Sequence, residues 1–232
     1  VMKNFGFTRL TMINPPAWGV EADARASHAR DVLEGARIVS SLKEVIAESS
    51  LLVATTGELS KTTSQPMRMP YYTPGELREM LDPVEGRVSI LFGRENRGLG
   101  NDEVRQCDMI CTIPTSPEYP IMNISHAVGV VCYELAHLQR GEYSLATRQE
   151  MDALYDHIDR FLDRVDHFEY KRASTMTMMR RIFGRTMLTP REVTTMHGLL
   201  RRAEYMIEPW KHGEYEDMET RDPDGISDME SR

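Results

Sequence analysis

The sequence predicts an α/β domain built on a parallel sheet, followed by a small module made of helices alone. Short runs that are apolar on both faces alternate with helical patterns across residues 1–140, as in a sheet covered by helices on each side. Beyond Gly141 the strand-like runs stop and only helical periodicity continues. With 232 residues, 41% of them hydrophobic and 28% charged, the chain has ordinary globular usage. It can bury a core without a disulfide or a metal to hold it.

The elements follow in chain order. Val1-Met2-Lys3-Asn4-Phe5-Gly6 reads as the end of a helix, with Gly6 in the left-handed C-cap position; the start of that helix is expected ahead of Val1. Arg9–Ile13, Leu51–Thr55, Val88–Phe92 and Met109–Ile113 read as strands, and Ala36–Val39 is a weaker fifth. Between them Val20–Leu33, Leu42–Glu48, Thr73–Leu81 and Asn101–Cys107 read as helices. Thr73-Pro74-Gly75-Glu76 has the form of a capping box with proline in the first turn. Asn101-Asp102-Glu103 places acids at the positive end of a helix dipole. Ile124–Gln139 is apolar nearly all round, which predicts burial on more than one side. In the second part, Met151 to Phe168 recur at helical spacing, a shorter helix covers Thr175–Phe183, and Thr189-Pro190-Arg191-Glu192 opens a third. The expected division is a domain over 1–145, a helical extension over 146–208 and an acidic, disordered tail over 209–232.

Composition excludes several classes. No apolar run approaches the roughly 18 residues of a membrane span, and no signal peptide opens the chain. Three cysteines (Cys107, Cys111 and Cys132) in apolar surroundings predict reduced thiols and a cytoplasmic setting. No second Cys/His pair accompanies Cys107 and Cys111, so no metal site is expected. The net charge of −8 is unevenly spread: Tyr170–Arg202 holds eight Lys/Arg against one acid, and Ala203–Arg232 three against ten. The basic block is either a solvated helix face or a surface for nucleic-acid phosphates.

Three loops lie at the carboxyl ends of the expected strands, where open parallel sheets collect ligands. They are Thr55-Thr56-Gly57-Glu58, then Phe92 to Gly100 (Phe-Gly-Arg-Glu-Asn-Arg-Gly-Leu-Gly), then Ile113 to Asn123. The second lacks the Lys-Ser/Thr of a phosphate cradle, and no G-x-G-x-x-G dinucleotide fingerprint occurs. Singly, each loop reads as a plain turn.

As an ordered trio they resemble the SpoU–TrmH class of SPOUT methyltransferases. Phe92-Gly93-Arg94-Glu95 with Gly98-Leu99 and Asn101-Asp102-Glu103-Val104 is similar to that class's second motif. Asn123-Ile124-Ser125-His126-Ala127-Val128 with Tyr133-Glu134-Leu135 is similar to its third. Pro117-Glu118-Tyr119, and Arg180-Arg181-Ile182-Phe183-Gly184-Arg185 in the helical extension, resemble one branch, the tRNA 2′-O-methyltransferases that act on nucleotide 32 of the anticodon loop. The resemblance covers residues 1–207.

It implies an α/β domain closed by a C-terminal trefoil knot, a homodimer, and S-adenosyl-L-methionine as methyl donor. Thr55, Thr56, Gly57, Gly93, Ile113, Ile121, Met122 and Asn123 would hold the donor, through backbone groups and a few apolar side chains. Glu95 would orient neighbouring loop groups, Asn123 among them, against the plainer reading of a solvated loop acid. Asn123 would position the ribose or hold the loop's shape. The family's activating arginine is expected directly before Val1, outside the sequence. Lys171, Arg172, Arg180, Arg181, Arg185, Arg201 and Arg202 would hold tRNA phosphates. Two departures stand out: Ile121 replaces a serine found in some relatives, and Glu58 stands where bacterial relatives often carry arginine. A non-catalytic RNA-binding relative and a ribosomal RNA 2′-O-methyltransferase are the alternative readings.

Overall fold

A computed structural model describes residues 1–17, 19–57, 66–139 and 141–211. Glu58 and the tail beyond Lys211 lie outside the described residues. Two small parallel sheets carry the first part. Strand β1 (Thr11–Ile13) pairs with β2 (Arg37–Val39). The main sheet has β3 (Leu51–Thr55) at its centre, flanked by β5 (Val88–Leu91) and β6 (Met109–Cys111) in the order β5-β3-β6. Val53 lies opposite Ile90 on one side and Met109 on the other, so all three carboxyl ends point the same way.

The pleat sorts side chains onto two covered faces. Leu51, Val53, Met109 and Cys111 pack with Leu77 and Leu81 of helix α4 (Pro74–Leu81) and with Val131 and Leu135 of α6 (Ile124–Leu135). On the other face Leu52, Ala54 and Ile110 meet Ile46 of α3 (Leu42–Ala47) and Val104 of α5 (Asn101–Arg105). Leu52, Val53, Ala54, Leu77, Val104 and Ile110 are wholly buried, each large side chain among them contributing about 1.5–3 kcal/mol. Thr73 caps α4 as its sequence indicates: its hydroxyl accepts from the Glu76 amide at 3.3 Å while Glu76 accepts from the Thr73 amide at 2.7 Å.

Several details differ from the sequence reading, among them the helix expected over Thr175–Phe183, which spans Glu169–Thr186. The segment expected as one helix over Val20–Leu33 is two, α1 (Val20–Ala26) and α2 (Arg30–Glu34), joined by a 3₁₀ turn at Ser27–Ala29 where Ser27 has a φ of 47°. The start of the chain is a 3₁₀ turn (Met2–Phe5), closed by Gly6 at a φ of 80°. A two-residue parallel ladder, β4 (Val84–Glu85) with β7 (Tyr143–Ser144), ties the end of the first part back to the body. It requires Gly141, whose Cβ would sit 2.1 Å from the Val84 carbonyl carbon. Helix α6 buries Val131, Cys132 and Leu135 on one face; the opposite face is covered only in part, by Val1 beside Gly129 and by Phe5, whose ring meets the 60% exposed Tyr133 edge-on at 5.9 Å. Its apolar circumference exceeds what this chain alone covers.

The extension consists of α7 (Arg148–Arg164), α8 (Glu169–Thr186) and α9 (Pro190–Lys211). Met151, Leu154, Tyr155, Ile158 and Leu162 of α7, Phe183 of α8 and Val193 of α9 form its own core. It docks at the amino end of β6, opposite the loops. There the Asp108 carboxylate is buried, accepting from the Leu52 amide at 2.9 Å and from Arg148 and Arg180 at 3.3 Å each. Gly184 permits the approach, because a Cβ there would lie 2.3 Å from the Asp108 carbonyl oxygen.

Candidate active site

Because β5, β3 and β6 are neighbours, the loops that follow them emerge side by side. The first is stitched to both strands: the Thr55 hydroxyl donates to the Leu91 carbonyl at 2.9 Å, and the Thr56 amide donates to the Cys111 carbonyl at 3.0 Å. Gly57 then passes under the third loop. A Cβ at Gly57 would be 3.0 Å from the Pro120 carbonyl oxygen and 3.6 Å from the Ile121 Cα, so the two backbones run in near contact.

The second loop folds on itself. The Arg94 amide donates to the Gly98 carbonyl at 3.1 Å and the Gly98 amide to the Arg94 carbonyl at 2.8 Å, with Gly98 at a φ of 62°. Gly93 faces this turn so closely that a Cβ would lie 2.1 Å from the Gly98 carbonyl carbon. The Arg94 guanidinium grips Glu103 at 3.0 and 3.1 Å, and Glu103 also accepts from the Gly100 amide at 2.7 Å, capping α5. Arg94, with the Gly100 amide, holds the Glu103 carboxyl below its usual range.

The third loop closes the set. The Thr115 hydroxyl donates to the Pro120 carbonyl at 3.0 Å, and the Asn123 side chain caps α6 by accepting from the Ser125 amide at 2.9 Å. Asn123 Nδ2 donates to Glu95 Oε1 at 3.3 Å, joining the second loop to the third. Ile113 and Met122 are half-buried, whereas Ile121 is 68% exposed. Thr55, Thr56, Gly57, Gly93, Glu95, Ile113, Ile121, Met122 and Asn123 all lie on the three neighbouring loops, which the Gly57–Pro120 approach and the Glu95–Asn123 hydrogen bond join. What remains open there is backbone, small residues, a few apolar side chains and one carboxylate. The second loop lacks the Lys-Ser/Thr of a phosphate cradle, and two arginines nearby are engaged with the protein, Arg94 with Glu103 and Arg68 with the Thr56 hydroxyl. Among the described residues no group of three or more His, Cys, Asp or Glu is arranged to hold a metal. No described helix is long and apolar enough to cross a membrane.

The basic block does not stay together. Lys171, Arg185, Arg201 and Arg202 are exposed. Arg181 must be removed from the phosphate-binding set: it is 4% exposed and donates to the carbonyls of Cys107, Val104 (2.7 Å) and Met67 (3.2 Å). Burial lowers its pKa, offset in part by Cys107 and Asp108. Arg180 pairs with Asp108 and lies 4.1 Å over the Tyr155 ring, and Arg172 is held by Asp159 and Asp163. Both are half-buried and spent on intramolecular carboxylates.

Two contributors escaped the sequence reading. Arg68 reaches the Thr56 hydroxyl, and Asp108 anchors the extension. Neither lies in a motif, and Met67–Arg68 sits in a stretch without periodicity, so no local signal marks them.

Fold and site together define an α/β RNA methylase: residues 1–133 match the SpoU rRNA Methylase family, and the chain belongs to it. A second family model, the C-terminal domain of the tRNA methyltransferase TrmJ, matches residues 149–213. Among similar proteins is the tRNA (cytidine-2′-O-)-methyltransferase TrmJ of Methanocaldococcus jannaschii, 31% identical over 84% of this chain and 88% of its own length. The tRNA (cytidine/uridine-2′-O-)-methyltransferase TrmJ of Yersinia pestis is 32% identical over 86% of this chain and 82% of its own. The crystal structure of TrmJ from Z. mobilis ZM4 superposes with a TM-score of 0.69, at 29% identity over 88% of this chain and 90% of that one.

Proposed function

We propose that the chain transfers the methyl group of S-adenosyl-L-methionine to a ribose 2′-oxygen of tRNA, at nucleotide 32 of the anticodon loop. The observation that carries this is the convergence of three loops at the carboxyl ends of β5, β3 and β6, joined by the Glu95–Asn123 hydrogen bond and the Gly57–Pro120 approach. The named specificities of the two TrmJ relatives, both tRNA 2′-O-methyltransferases, support the substrate class.

The residues present fit the donor. Gly57 and Gly93 keep the loop backbones clear of side chains, and half-buried Ile113 and Met122 offer apolar cover. The donor would bring an electrophilic methyl on a sulfonium. Glu95 fixes the Asn123 amide so that its carbonyl faces the first turn of α6 and its NH₂ faces the second loop. That arrangement holds the third loop in one shape, and a ribose held beside the donor there would react in an effectively unimolecular step. Exposed Lys171, Arg185, Arg201 and Arg202 attract phosphates without reading bases. The partly exposed apolar surface of α6 around Tyr133 accords with a homodimer, and the close approach of the Ile113–Asn123 loop to Gly57 accords with a trefoil knot.

Labelled-methyl transfer by the natural protein tests the reading. Incorporation should occur into a tRNA transcript and disappear when the ribose of nucleotide 32 is already 2′-O-methylated. Equal incorporation into both transcripts would overturn it.

A further inference from the structure

We propose that Arg68 is a positioning residue for the methyl-donor site: its guanidinium fixes the Thr56–Gly57 turn against the Gly98–Leu99 turn. Arg68 Nη1 donates to the Thr56 hydroxyl at 2.6 Å and Nη2 to the Leu99 carbonyl at 3.4 Å. These acceptors belong to different loops, one after β3 and one after β5. A planar fork with two donors at fixed separation sets the distance between its acceptors in a way that a single ammonium cannot.

The fork is itself held. Arg68 sits at the end of a short 3₁₀ turn (Pro66–Arg68), and the preceding Met67 carbonyl accepts from the buried Arg181 of α8 at 3.2 Å. Arg181 simultaneously grips the carbonyls of Val104 and Cys107, which close the end of α5. The strut therefore runs from the helical extension, through Arg181 and the Met67–Arg68 turn, to the rim where Gly57 meets Pro120. A bond from a charged donor in a half-buried place contributes more than a neutral one. Its loss lets the Thr56–Gly57 turn drift from the second loop without removing any group that touches the ligand.

This inference rests on the methyl-donor reading of the site, and the experiment separates the two. Binding of S-adenosylhomocysteine is measured by calorimetry for the unaltered protein, Arg68→Ala, Arg68→Lys, Thr56→Val and the double variant, with unfolding temperature and tRNA binding in parallel. If the unaltered protein does not bind the probe, the donor reading falls. If it binds, Arg68→Ala should weaken binding about tenfold, Arg68→Lys should recover part of the loss, and adding Thr56→Val to Arg68→Ala should cost little more. Unfolding temperature should fall by only a few degrees, leaving the protein folded at the assay temperature, and tRNA affinity should stay near that of the unaltered protein. Additive losses from Arg68→Ala and Thr56→Val, or unchanged binding in Arg68→Ala, would overturn the role. So would a loss of binding matched by an equal loss of folded protein in both Arg68 variants.

Discussion

Replacing Asp108 with Asn tests how the helical extension is fastened to the methylase body. The carboxylate is 3% exposed and serves three donors: the Leu52 amide, Arg148 and Arg180. Asparagine keeps the shape and one acceptor but removes the charge that Arg148, itself 7% exposed, faces in the interior. Arg148 retains Asp152 at 3.1 Å, half in solvent, and Arg180 retains the Tyr155 ring. Breaking one side of a buried ion pair costs about 3–5 kcal/mol, and the remaining partners place Asp108→Asn near the lower end. For a chain of this size that is a fall in unfolding temperature of about 6–12 °C. Urea and thermal unfolding followed by circular dichroism measure it, with Asp102→Asn as the control. Asp102 pairs with Arg105 on the surface with its side chain 94% exposed, so its loss should stay within about 0.5 kcal/mol. A destabilisation below about 1 kcal/mol at Asp108 would refute the buried-anchor argument.

Other outcomes follow from the same geometry. Gly93→Ala forces a methyl against the Gly98 backbone, so donor binding should be lost and stability should fall by about 1–3 kcal/mol, as read by calorimetry and urea unfolding. The His157 and His197 Nδ1 atoms lie 2.7 Å apart between α7 and α9, with Glu204 3.2 Å from the far side of His157. Such a contact needs one bare nitrogen; burial, His157, Arg201 and Arg160 all push the His197 pKa below 6.5. The unfolded chain then takes up that proton first, so stability should fall as pH drops below 6.5, and His197→Gln should flatten the dependence measured by thermal unfolding at a series of pH values. Burial pushes the Cys107 and Cys111 thiols up to about 12 and also raises Cys132. All three should resist alkylation at neutral pH until denaturant is added, as counted by mass spectrometry.

Much of this was legible because local and global signals agree. The β3 run Leu51–Thr55 has no polar face, and the sheet indeed covers both of its sides; the Thr73–Glu76 box and the Gly6 cap required nothing beyond neighbouring residues. The three loops could be paired with strand ends, although only the shared topology brought Glu95 to Asn123 across 28 positions of sequence. The misses share a cause. Ser27 breaks a helical pattern through a φ of 47° that composition does not disclose. Two-residue strands carry no period. Arginine counts do not tell which guanidinium meets solvent and which meets carbonyl oxygens, so Arg181 read as a phosphate ligand while it secures the base of α5. Gly184 was the available hint, since a glycine inside a basic helix signals a close approach.

Hydrogen exchange with and without S-adenosylhomocysteine tests the central claim most directly, because it asks where the ligand sits rather than whether it binds. Slowed exchange should be confined to Thr55–Gly57, Gly93–Gly98 and Ile113–Asn123, with the amides of α7 and α9 unaffected. Protection centred on the helical extension, or on one of the three loops without the other two, would contradict a site assembled at the carboxyl ends of β5, β3 and β6.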